Sequence, residues 1–164
     1  MDSTRTLRPP RHLASRRAIR YWATRAAVGW LVLVGAQVVW LLAEPHARGL
    51  HVAGLVATAV LGVVHVSVMP RWRYRVHRWE ITDEAVYTQS GWLDQERRIA
   101  PVSRIQTVDS ARGPFEQLFG LVNVTVTTAS AAGPLKIHGL DRETAERLVE
   151  QLTTNTQAER GDAT

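Results

Sequence analysis

The chain has 164 residues, no cysteine and a formal net charge of +5, which leaves room for one ordinary domain or a smaller one plus membrane segments. Without cysteine there is no disulfide framework, thiolate metal site or cysteine nucleophile. A pI near 10.6 would suggest nucleic acid in a soluble protein, but the arginines here crowd the two edges of a nearly uncharged stretch, where anionic headgroups attract them; nucleic acid is not an expected partner.

Residues 1–25 read as a basic cytoplasmic segment. Residues 26–43 and 51–69 each approach the roughly 20 apolar residues that span a hydrocarbon core of about 30 Å. The link between them contains Pro45 and Gly49, which end one helix and let the next begin. A transmembrane helical hairpin over 26–69 is predicted. Its first segment exceeds the 7–15 apolar residues typical of a signal peptide, and no A-x-A site follows, so it reads as a retained span.

Seven arginines (Arg5, Arg8, Arg11, Arg16, Arg17, Arg20, Arg25) precede the hairpin and Arg71, Arg73, Arg75 and Arg78 follow it, whereas the link has only Arg48. Positive-inside bias therefore predicts a multi-pass cell-membrane protein with both termini cytoplasmic. Trp22, Trp30, Trp40 and Trp72 fall near the expected interfaces. At 1.5 Å per residue, Gln37 lies about 16 Å deep and His65 about 6 Å, so the two are not expected to pair. His65 reads as a tolerated neutral imidazole. Gly54, Thr58 and Gly62 share one small-residue face of the second helix. Either the first helix of the hairpin or the helix of another chain would fill it.

Beyond Met69-Pro70 the pattern becomes β-like. Trp72, Tyr74 and Val76 alternate with arginines, but the apolar parity then switches to Trp79 and Ile81. The shift means a bulge, or a linker ending before the strand proper, and the first strand is placed at 77–82. Asp83-Glu84-Ala85 makes a tight turn into a strand over 86–90. Gly91-Trp92 punctuates the chain before a third strand over 93–100, a break at 101–103 and extended chain over 104–109. Residues 115–121 form a short helical turn in which Phe115, Leu118, Phe119 and Leu121 either pack against the sheet and fix where Arg104 and Arg112 point, or form an exposed hydrophobic contact for a partner or the bilayer surface. Gly120 allows that turn a left-handed end. Val122, Val124 and Val126 alternate with polar residues, a strong strand signal. A loop over 129–134, a short strand over 135–138 and a helix capped by Asp141 follow, the helix burying Ala145, Leu148, Val149 and Leu152. Residues 153–164 are polar and read as a disordered tail.

The run Ile99-Ala100-Pro101-Val102-Ser103-Arg104-Ile105-Gln106-Thr107-Val108, followed by Gly113-Pro114 and by Leu118-Phe119-Gly120-Leu121 with its Val/Thr strand, resembles the bacterial pleckstrin-homology-like domain of the YdbS type. Two hydrophobic segments stand before that domain in the family, as here. The resemblance implies an α+β chain: a transmembrane hairpin, then over 72–152 a PH-like bent β-sandwich or barrel capped by a C-terminal helix. It also implies a partner, a larger membrane protein with several such domains or a second copy of the chain, beside the lipid bilayer.

No residues assemble a reaction. The six histidines (His12, His46, His51, His65, His77, His138) lack metal-ligand spacing, Ser103 lacks a GxSxG context, and no phosphate-cradling glycine loop follows a strand. No cofactor and no enzymatic activity are expected, and the chain reads as an interaction scaffold. The second reading is a module sensing anionic lipid headgroups, for which Arg97, Arg98, Arg104 and Arg112 are the candidate contacts if they converge. PH domains that bind phosphoinositides carry basic residues at the first β-turn, where this chain has Asp83-Glu84.

Overall fold

The computed structural model describes residues 9–91, 95–130 and 133–162. Helix α1 (Arg17–Ala43) and helix α2 (Arg48–Val76), joined by a 3₁₀ turn over Pro45–Ala47, form the hairpin. Both have the length and hydropathy of a membrane span; at 1.5 Å per residue each is about 40 Å long. Leu31, Val32, Leu42, Val63 and other large apolar side chains stand exposed on them, a surface that water would not tolerate and a bilayer would. Between the helices, Trp30 Nε1 donates to His65 Nδ1 at 2.9 Å and Gln37 Nε2 donates to Thr58 Oγ1 at 2.9 Å. The indole N–H and the amide N–H thus find acceptors across the hairpin, as burial in lipid favours, while Gln37 Oε1 is buried without a partner.

The helices extend well past the apolar stretch. The segment before residue 26, expected as a basic cytoplasmic stretch, is helical from Arg17 because Ala18, Tyr21 and Trp22, at i, i+3 and i+4, have a surface to pack on. Further upstream, β1 (His12–Leu13) pairs antiparallel with the first strand of the β-domain. His12 stacks on Trp79 at 4.9 Å, and Arg11 Nε lies 3.5 Å from Glu80 Oε1. At the other end α2 continues through Pro70 to Val76. The Arg/aromatic alternation after Pro70 is therefore the last turns of a helix, neither a bulge nor a linker, and the first strand of the β-domain begins at Arg78, close to its expected start.

The β-domain has two separate antiparallel sheets and is not closed into a barrel. The first has the order β1-β2-β3-β4, with β2 (Arg78–Ile81), β3 (Ala85–Ser90) and β4 (Glu96–Pro101); the second has β5 (Ile105–Ala111), β6 (Leu121–Thr128) and β7 (Leu135–Asp141). Trp92 and the start of the expected third strand lie outside the described residues. Val86 and Ala100 from the first sheet, Val124, Val126 and Ile137 from the second, and Ala145, Leu148 and Leu152 from helix α4 (Arg142–Asp162) make one buried core. Asp141 caps α4, its Oδ1 accepting the Thr144 N–H at 3.0 Å. The expected disordered tail is instead helical as far as Asp162: Thr153 and Thr156 hydroxyls donate back to the carbonyls of Val149 and Leu152, both at 2.7 Å.

Helix α3 (Pro114–Phe119) ends at Gly120, whose φ of +64° is the left-handed conformation expected of it. Its apolar cluster splits. Leu121 is fully buried and Phe119 half-buried, but Phe115 and Leu118 are 57% and 78% exposed. The buried pair packs on the lower end of α1 rather than on the sheet, Phe119 meeting Tyr21 edge-on at 5.9 Å. The reason is that Ala14, Ala18, Tyr21 and Trp22 supply a second small core that only the extended α1 could provide.

Candidate functional site

The four arginines singled out in the sequence do not meet at one place. Arg97 and Arg98, neighbours on a strand, point to opposite faces. Arg98 is a latch: its guanidinium donates to the carbonyls of Pro134 at 2.7 Å and Gly133 at 3.1 Å, and lies 3.4 Å from Glu96. It shares a cavity of about 90 Å³ with Arg104. Beyond Arg104 on the next strand, Asp109 accepts from the Thr107 hydroxyl at 3.2 Å. Arg112 lines a different hollow, with Arg142, Glu146 and Glu150. On α2, a Cβ added at Gly62 would meet the Trp30 ring at 3.1 Å and Thr58 bonds Gln37, whereas the space beside Gly54 is open.

A larger feature lies where the hairpin meets the β-domain: a cavity of about 500 Å³ between the two helices and strands β6 and β7. Its construction starts from a bulge. Val122 pairs with Leu140 and Val124 with Ile137, so His138 and Gly139 together oppose Asn123. Asn123 Oδ1 accepts the Gly139 N–H at 3.0 Å. Gly139 adopts φ +73°, and its carbonyl accepts the Ser15 N–H at 2.8 Å. A Cβ on Gly139 would come within 2.9 Å of the Ala18 methyl. The missing side chain is what lets α1 lie directly on β7.

From this contact a polar chain runs across the cavity wall. Asn123 Nδ2 donates to Glu116 Oε1 at 3.3 Å, Tyr21 Oη donates to the same oxygen at 2.9 Å, and Arg25 reaches the Tyr21 oxygen at 3.4 Å. Burial alone would raise the Glu116 carboxyl, but the hydrogen bonds from Tyr21, its own backbone and Asn123 hold it below the usual range. Opposite, the Arg73 guanidinium lies 4.6 Å above the buried Trp22 ring, which His77 flanks at 5.3 Å. Burial, with repulsion from Arg73 and His138, pushes the His77 imidazole down to about 4. Burial and Arg73 likewise lower His138, which lies 6.4 Å from His77. Both imidazoles are neutral near pH 7, so the positive charge of the site rests on its two arginines. Among the described residues no three metal-ligating side chains gather.

The sequence singles out Trp22 as an interfacial ring and Arg25 and Arg73 as flanking arginines but does not bring them together, and it gives no role to Tyr21, Glu116 or Asn123. Tyr21, Trp22 and Arg25 sat in a segment taken as a basic lead-in, and Asn123 in a clean strand alternation. The available signal was helical spacing upstream of the apolar run, with Ala14, Ala18, Tyr21, Trp22 and Arg25 on one face.

Comparison with known proteins agrees with this architecture. The transmembrane protein YdbS of Bacillus subtilis is 33% identical over 91 residues, a region covering 56% of each chain; the match thus spans little more than half of that relative. No solved structure matches. The family model described as "Bacterial PH domain" matches residues 18–156, from the docked base of α1 into the C-terminal helix. A membrane-associated chain matched over that range belongs to the bacterial PH domain family.

Proposed function

We propose that the chain is a non-enzymatic interaction protein, which holds its PH domain at the cytoplasmic face of the cell membrane to engage a larger PH-domain membrane protein. The observation that carries this reading is the docking of the two parts. The base of α1 is built into the β-domain through Ser15, Ala18 and Tyr21, so the hairpin sets the domain's height and orientation above the bilayer. A domain that only needed tethering would be served by a flexible linker; a fixed pose suits recognition by a partner in the same membrane. The arginine asymmetry about the hairpin supports the cytoplasmic side.

The test is affinity capture of the tagged full chain from detergent-solubilised membranes at native expression. A second membrane protein with PH domains should copurify. Recovery of the chain alone, as a monomer, would overturn the scaffold reading.

A further inference from the structure

We propose that the cavity between Arg25 and Arg73 binds a phosphate group at the membrane surface. The group is the headgroup of an anionic phospholipid or, by the same chemistry, free phosphate.

The two arginines sit on neighbouring helices. Arg25 directly precedes the uncharged stretch and Arg73 is one turn beyond Met69. The cavity therefore opens at the level where the hairpin leaves the hydrocarbon and lipid phosphates lie. Neither arginine has a carboxylate within ion-pairing distance among the described residues. Arg73 is half-buried with one face on Trp22, which leaves the in-plane N–H edge of its guanidinium for an acceptor. The one carboxylate lining the cavity, Glu116, already accepts from Tyr21 and Asn123. Arg73 is half-buried and Arg25 stands exposed at the cavity's edge; these like charges repel, and an anion between them removes that cost while accepting charge-assisted hydrogen bonds from both.

The shape fits the same ligand. A volume of about 500 Å³ falls in the ordinary range for small-molecule sites and far exceeds what a bare phosphate fills. Ala26, Met69 and His65, whose Nδ1 already accepts from Trp30, line it toward the membrane and Asn123 and His138 toward the β-domain, so the arginines stand between an end facing the lipid and a polar end, as a headgroup joined to its glycerol requires. This is not the basic first-turn site of phosphoinositide-binding PH domains, because here that turn carries Asp83 and Glu84.

The experiment uses the full chain, purified in detergent and reconstituted in lipid nanodiscs. Native mass spectrometry should show phosphatidylglycerol retained in preference to phosphatidylcholine. Arg25→Gln with Arg73→Gln should weaken that retention at least about tenfold, the scale of losing charge-assisted hydrogen bonds. Arg71→Gln with Arg75→Gln, which removes two exposed arginines of the same helix, should not. Because Arg73→Gln also removes the contact on Trp22, unfolding of the unaltered chain in detergent is followed as short-chain phosphatidylglycerol or inorganic phosphate is added. A midpoint raised by the lipid alone assigns the headgroup, and one raised equally by inorganic phosphate assigns the free ion. No rise with either ligand, or equal loss of retention in both pairs of variants, would overturn the proposal.

Discussion

Gly139 has the clearest individual role, because a positive φ and a close backbone approach coincide there. Gly139→Val should lower the unfolding free energy by more than the about 1–3 kcal/mol of backbone strain, since the new side chain would also push α1 off β7. Gly133, with φ +79° and open space around it, is the control: Gly133→Val carries the strain without the clash. Equal losses at both positions would show that α1 does not lean on β7. His77 makes stability depend on pH. Its folded pKa of about 4 lies below the unfolded value near 6.5, so between these the unfolded chain binds the extra proton. Stability is complete above about pH 6.5 and is lost as pH falls toward 4, by roughly 3 kcal/mol. His138, also lowered chiefly by burial, acts in the same sense. Denaturant midpoints between about pH 7 and about pH 4.5 should show that slope flattened in His77→Gln; an unchanged slope would remove His77 as its source.

At the scale of elements, α3 and α2 each divide their side chains between two environments. Phe119→Ala should cost less than the roughly 3–5 kcal/mol of a fully buried phenylalanine, because the ring is only half covered, and Leu118→Ala should leave the midpoint unchanged. A measured loss at Leu118 would mean that α3 packs more deeply than its exposure shows. In the hairpin, Gly62→Leu meets the Trp30 ring and should destabilise by about 1–3 kcal/mol in detergent unfolding, whereas Gly54→Leu enters open space. The small-residue face is thus occupied by the hairpin's own first helix at Thr58 and Gly62 and left open at Gly54. The Arg/aromatic alternation over 71–76 did not show itself as helix because six residues are too few to separate period two from a turn and a half of helix. The tertiary contact of Val76 and Arg73 with the rest of the molecule settles it.

For the whole molecule, the arginine distribution predicts that reporters fused after Leu152 and before Arg25 both read cytoplasmic, while a tag within 45–49 is reachable from outside. An external C-terminal reporter would reverse the orientation and remove the cytoplasmic partner with it. The phosphate site would remain, because it is placed by depth and not by the side of the membrane. What limits the relative motion of hairpin and β-domain is the second core around Leu121 and Trp22, together with the Tyr21–Glu116–Asn123 chain.

The two apolar spans, the Val122-to-Val126 strand, the left-handed Gly120 and the Asp141 cap were all determined by sequence alone. Each depends only on the length, period or terminal chemistry of a single segment. The Ser-Arg-Ile-Gln run over 103–106 also carried the family and with it the PH-like order of strands and final helix. The tertiary structure alone decided that the basic lead-in is a docked helix and that Arg98 is a latch while Arg112 faces elsewhere. It also decided that the junction cavity exists. That cavity takes Tyr21, Trp22 and Arg25 from the start of the chain, Arg73 from the end of the second helix, and Glu116, Asn123 and His138 from far beyond. Side chains so distant along the chain share no local periodicity. They meet only because a β-bulge and a glycine let the first helix settle onto the last strand.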